Sequence, residues 1–183
     1  MSGIRERDEV EFEVTGNVAG STETILNQIQ HLSGADVHLH AVDMIQNAER
    51  EVLIMLSNFV QGQFDDVDVT AALSVFARSS RYAQVCVLVS STQRIIPTSH
   101  PILRLQQRLS SLVQIRQVLP DDASDMDILL VDQRHLLQLQ LERQTLNGKY
   151  IQHAIPSAKQ ISDQFYYWWQ RAQLIPELRR LSL

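Results

Sequence analysis

The chain has one cysteine, Cys86, in 183 residues, which excludes an intramolecular disulfide framework. Set in "AQVCVLVSS", that thiol reads as a small buried apolar group. No stretch approaches the run of about eighteen apolar residues that a membrane-spanning helix needs. The first residues show neither the basic nor the apolar region of a secretory signal, so a cytoplasmic protein is expected. A basic excess is also missing: 16 Lys and Arg stand against 21 Asp and Glu, for a formal charge of −5. That balance argues against nucleic acid as a nonspecific partner and leaves room only for a local basic patch. Internal repeats and low-complexity tracts are lacking. With 44% apolar and 20% charged residues the chain is globular rather than disordered, and its length suits one domain with a sizeable core.

Along the chain, residues 1–20 form an amino-terminal extension. "EVEFEV" alternates Val10, Phe12 and Val14 with glutamates, the pattern of a strand with one wet face. It reads either as an added edge strand or as a tail continuing from an upstream domain. Residues 21–183 then read as a single α/β domain. Ser21 suits the N-cap of a helix running to about Leu32. A second helix is expected over 37–49, with Leu39, Val42, Ile45 and Ala48 on its apolar stripe. The runs "EVLIMLSN" and "AQVCVLVSS" suit strands buried on both faces. Between them, Val69, Ala72, Leu73, Phe76 and Ala77 mark a helix. "HPILRLQQRLSSL" has Pro101 in its first turn, a favoured place for proline, and Leu105, Leu109 and Leu112 as its stripe. Four strands follow: "VQIRQVL", "MDILLVD", "HLLQLQLE" and "KYIQHAI". The third sets leucines against Gln138 and Gln140, so one face should be solvated. A closing helix starts near Pro156 or Ser157 and carries "FYYWW", and Pro176 interrupts the tail beyond it. The sum is a mixed sheet flanked by helices.

The stretch "SDMDILLVD" opens an apolar strand with Asp125 and Asp127 and ends it with Asp132. This resembles the His-x-Lys-x-x-x-x-Asp motif of phospholipase D-like domains. The spacing is kept, with "ILLV" as the spacer, while acids stand at the His and Lys positions. The preceding helix–strand–helix–strand order over about 37–90 agrees with that superfamily. So does Phe165-x-x-x-Trp169 in the last helix. The stretch from His100 to Pro120 is similar to an uncharacterised bacterial domain of the superfamily, one found alone or after an acetyltransferase-like domain. The superfamily's downstream Gly-Ser-x-x-Asn element has no counterpart here. The resemblance implies a half-domain whose cleft is completed by a second copy, hence a homodimer.

It also implies that the motif His would be the nucleophile and the Lys the holder of phosphate oxygens. Phosphoryl transfer depends on positive charge facing the developing oxyanions. An acid in place of the lysine reverses that charge. At 4 Å and an effective dielectric near 20, each such pair turns from attraction to repulsion of roughly 4 kcal/mol. Asp121 and Asp122 add to the negative field. Asp132 suits a structural task, accepting hydrogen bonds from turn amides.

The other chemistry-bearing residues fit less well. Haloacid-dehalogenase-type phosphotransferases place Asp-x-Asp after an apolar strand, whereas here the strand follows the pair. The 121–127 cluster lacks the spacing and glycine of a calcium loop and reads as a solvated acidic turn. His38 and His40 share a face only in a strand, and the pattern around them is helical, so no zinc site is expected. His31, His100, His135 and His153 are scattered. His135 and His153 fall at the strand ends where the resemblance places the cleft, and His153 is the candidate acid or base. Arg104, Arg108 and Arg116, with Arg94, form the densest basic region and the candidate anion contact. Phe165, Trp168, Trp169 and Ala172 form a packing stripe, while Tyr166 and Tyr167 are left to line a groove or interface.

The reading is a catalytically degenerate phospholipase D-like domain acting as a binding, scaffolding or regulatory module on an unknown protein partner, with no cofactor or metal expected. One alternative is a metal-dependent phosphoesterase or phosphotransferase using Asp125, Asp127 and His153. Another is a nucleic-acid-binding module using the Arg94–Arg116 region.

Overall fold

A computed structural model describes residues 29–59, 64, 66–92, 100–142, 145–175 and 178. The 1–20 extension, the start of the helix expected from Ser21, Arg94 and Pro176 lie outside the described residues.

The described elements run β1 (Ile29–Ser33), α1 (Ala35–Gln46), β2 (Glu51–Leu56), α2 (Val67–Ser79), β3 (Gln84–Val89), α3 (Pro101–Arg108) and β4 (Val113–Gln117). They continue with β5 (Asp127–Val131), β6 (His135–Glu142), β7 (Thr145–Ile151), α4 (Ile155–Arg171) and the two-residue β8 (Gln173–Leu174). All eight strands join one sheet in the order β1-β7-β6-β5-β2-β3-β4-β8. β2, β3 and β4 are parallel, and β5, β6, β7 and β1 follow as antiparallel neighbours. This is the expected mixed sheet flanked by helices.

The central strands lack a polar alternation because both faces are covered. One face presents Val52, Ile54, Leu56, Val85, Val87, Val89 and Leu129 to α1, α2 and α3. The other presents Leu53, Met55, Cys86, Leu88, Ile128 and Leu130 to α4, whose Phe165 is fully buried among them. Trp168, Trp169 and Ala172 pack at the margin of this second core. Cys86 is indeed buried, and its thiol is pushed up to about 11, first by burial and then by Glu51. β6 keeps its leucines Leu137 and Leu139 inside and leaves Gln140 exposed.

Three expectations need correction. The helix drawn to Leu32 does not extend that far: Ile29–Ser33 is an edge strand, paired antiparallel with β7. Edge pairing outweighs local helical pattern there. Gly34, at φ 56°, turns the chain directly into α1 and donates its N–H to Leu146 O at 2.8 Å. The buried stripe of α1 is Val37, Ala41, Met44 and Ile45, with Val42 and Ala48 partly buried against the same core, so of the four expected stripe residues only Leu39 faces outward, 67% exposed. α1 also approaches β7 closely at Gly148, where a Cβ would lie 3.2 Å from Val37 Cγ2 and 3.1 Å from Leu137 Cδ1. β7, in turn, begins at Thr145, earlier than "KYIQHAI" suggests.

Candidate functional site

Parallel strands deliver their carboxyl ends to one edge of a sheet, where open α/β folds place their ligands. β2, β3 and β4 do so here. β5 runs antiparallel to β2, so its first residue, Asp127, lies beside the last residues of β2. Ser57 follows β2 and donates its backbone N–H to Asp127 Oδ1. Asp127 is 1% exposed. Its carboxyl is pushed up to about 6, first by burial, against the lowering effect of the Ser57 hydrogen bonds, with Asp125 adding to the rise. Asp125 itself stands exposed in the preceding turn.

That turn is anchored to β3. Ser90 Oγ donates to Ser124 O and accepts from Ser124 N–H, each at 2.9 Å. Ser124 Oγ then accepts the Met126 N–H at 3.1 Å. Asn58 donates to Ser57 Oγ at 3.3 Å, and Thr92 donates to Gln117 Oε1 at 3.2 Å. The edge is therefore built of hydroxyls, amides and acids. Sequence reasoning missed Ser57 and Ser90. Their signal was there in the serines that end both apolar runs, "MLSN" and "LVSS".

Asp132 sits at the far end of β5, roughly 16 Å from Asp127 at about 3.3 Å per residue. Its Oδ2 accepts the Glu49 N–H at 2.8 Å, and its Oδ1 accepts those of Arg50 and Glu51 at 2.8 and 2.9 Å. One carboxylate thus fastens the end of β5 to the start of β2. His153 is exposed, follows β7, and lies beside His135 at this same far edge. The fold therefore separates His153 from Asp125 and Asp127.

The arginines do not converge either. Arg104 and Arg108 are exposed on α3, which covers the first face. Arg116 lies on the second face, 4.4 Å over the Trp169 ring, and donates to Trp169 O at 3.0 Å. Tyr166 is held by Glu51 rather than facing a groove, while Tyr167 is exposed and hydrogen-bonded to Arg171. His100 is buried, caps α3 through Ile102 N–H at 3.3 Å, and meets Phe59 edge-on. His40 lies on α1, with its Nδ1 3.0 Å from Asp36 O. Among the described residues no group of three or more His, Cys, Asp or Glu is placed to hold a metal ion. No described helix is long and apolar enough to cross a membrane.

Residues 33–181, which hold this edge and every described helix, match the family described as a domain of unknown function, DUF7931. The chain belongs to that family. No curated protein matches the DUF7931 chain. Its fold is shared with Nuc of Salmonella typhimurium, a phospholipase D family member, at TM-score 0.60 and 13% identity, over 79% of this chain and 95% of that one. NucT of Helicobacter pylori matches at TM-score 0.55 and 9% identity, over 80% and 99% of the two chains. TrmBL2, an archaeal chromatin protein described with a novel mode of DNA binding, matches at TM-score 0.56 and 15% identity, over 91% of this chain and 57% of its own. At these identities the likeness establishes for the DUF7931 chain the phospholipase D-like fold alone.

Proposed function

We propose that this DUF7931 chain is a catalytically degenerate phospholipase D-like domain that serves as a binding, scaffolding or regulatory module and works as a homodimer. The observation that carries the reading is the state of Asp127. It stands where the motif has its lysine, yet it is buried and its Oδ1 is engaged by Ser57. An ammonium there would face an anionic ester, whereas an engaged acid has nothing to offer it. Asp125, at the position of the motif histidine, adds repulsion. The carboxyl edge of hydroxyls and amides suits recognition rather than phosphoryl transfer.

The purified protein should show no turnover of bis(p-nitrophenyl) phosphate above buffer, either metal-stripped or with Mg2+ or Mn2+. Turnover that disappears in Asp125→Asn would replace this reading with the metal-dependent phosphoesterase.

A second reading, nucleic-acid binding, is favoured by the exposed Arg104 and Arg108, one helical turn apart on α3, and by the DNA-binding description of TrmBL2. It predicts binding to duplex DNA that weakens steeply with salt and is lost in Arg104→Ala/Arg108→Ala, as removal of phosphate contacts requires. With Arg116 occupied on the opposite face, we expect fluorescence anisotropy at physiological salt to show no such binding.

A further inference from the structure

Two turns lie side by side at the edge that carries Asp132, away from Asp127. The first spans residues 132–134 between β5 and β6, and the second spans residues 152–154 between β7 and α4. The Ala154 N–H donates to Arg134 O at 2.8 Å and fastens one to the other. Asp132, Gln133 and His153 take φ values of 52°, 53° and 55°, a left-handed conformation that residues other than glycine enter at a cost. The arrangement sets the His153 ring 5.5 Å from that of His135, tilted by 58°. Tyr150 of β7 stands with its hydroxyl 3.3 Å from His135 Nδ1, and His40 of α1 meets the Tyr150 ring edge-on at 5.4 Å. The charged groups acting on His135 are Asp132 and Arg134 in its own turn, Asp43 on α1, and His153. Directly after His153, α4 starts with Ala154 as its N-cap and without a side-chain cap.

We propose that His135 and His153 form a proton-operated clasp on the first turn of α4. With the His135 imidazole neutral, the rings pack and the two turns stay fastened. With it protonated, a cation beside Arg134 faces the His153 ring in a half-buried place that disfavours charge, and the ring contact that seats the second turn is lost. Burial, then His153 and Arg134, hold His135 below the usual imidazole range, against the smaller pull of Asp132 and Asp43. The folded state thus favours the neutral ring. The stability it contributes is complete above pH of about 6.5, the unfolded value, and is lost as the pH falls from there toward the folded value. Among the described helices α4 alone covers the second apolar face, packing Ala158 and Phe165 against Leu53, Leu88 and Leu136. Opening its first turn uncovers the rim of that face, so the clasp couples acidification to a new apolar contact surface.

Amide hydrogen exchange, corrected for intrinsic rates, tests this on the full chain at pH 7.5 and pH 5.5. Protection over residues 155–161 should fall about tenfold at the lower pH, while β2 and β3 keep theirs. In His135→Gln, which removes the titrating ring, the pH response should vanish, and in His153→Asn, which tolerates the left-handed backbone, it should shrink. If His135→Gln does not fold, His153→Asn serves in its place. A pH-independent first turn, a loss of protection spread evenly over the whole chain, or a response that survives at full size in the folded variant would each overturn the clasp.

Discussion

Asp132→Ala is expected to destabilise the fold by about 3 kcal/mol, although the residue is neither in the core nor at the proposed binding edge. Its carboxylate accepts three backbone N–H groups, from Glu49, Arg50 and Glu51, all within 2.9 Å. Hydrogen bonds to a charged acceptor contribute more than neutral ones, roughly 1.5–3 kcal/mol each, and partial exposure of these lowers the sum. Alanine leaves all three donors without their acceptor at the entry to β2, a central strand. It also keeps the φ of 52° without the side chain that favours it. Two further variants separate these causes. Asp132→Asn retains one acceptor oxygen and the backbone preference, and should lose about half as much. Asp132→Gly relieves the backbone but keeps none of the acceptors, so it should fall close to Asp132→Ala. Urea unfolding at pH 7, read as a change in midpoint at constant slope, measures all three. A loss below 1 kcal/mol in Asp132→Ala, or recovery in Asp132→Gly, would show that the three hydrogen bonds do not hold β5 to β2.

That Asp132 would accept backbone hydrogen bonds was legible from an acid ending an apolar strand, but its donors are Glu49, Arg50 and Glu51 at the start of β2 rather than the amides of its own turn. The sheet was legible for a related reason. Runs such as "EVLIML" and "QVCVLV" place apolar side chains on both faces, which only a covered central strand can bury. β1 was not legible, since Ile29-Gln30-His31-Leu32 carries no strand pattern and owes its state to the exposed edge of β7. In α1 the expected Val42, Ile45 and Ala48 do pack on the core, while Leu39, apolar in sequence, lies outside the face made by Val37, Ala41, Met44 and Ile45. At the candidate site, spacing located Asp125 and Asp127, but spacing carries no sign of which end of a strand a distant residue will reach. His153 and Arg116 were therefore grouped with residues from which an antiparallel hairpin and an opposite sheet face separate them. Ser57 and Ser90 could only be weighed once β2, β3 and β5 were known to be neighbours.

Asp127→Asn should stabilise the protein at neutral pH and leave it unchanged in acid. The Asp127 carboxyl is raised to about 6 from an ordinary 3.8, chiefly by burial. A carboxyl raised in this way contributes stability that is present below its unfolded value and lost as the pH climbs through its folded value. Two pH units correspond to roughly 3 kcal/mol, so the wild type gives up an amount of that order between pH 4 and pH 7. Asparagine resembles the protonated acid and still offers an oxygen to the Ser57 N–H. At pH 7.5 the variant should therefore exceed the wild type by about 2–3 kcal/mol, and the two should coincide near pH 4. His135 shifts stability in the opposite direction as acid is added, and it does so in both proteins. The difference between their curves cancels it and isolates Asp127. Urea midpoints at four or five pH values give that difference directly. A wild type that is the more stable protein at pH 7.5 would mean that the ionised carboxylate has a partner strong enough to outweigh its burial. The acid would then be a stabilised charge at the edge of β2, available to attract a cation, and the case for a site that has merely lost its lysine would fall with it.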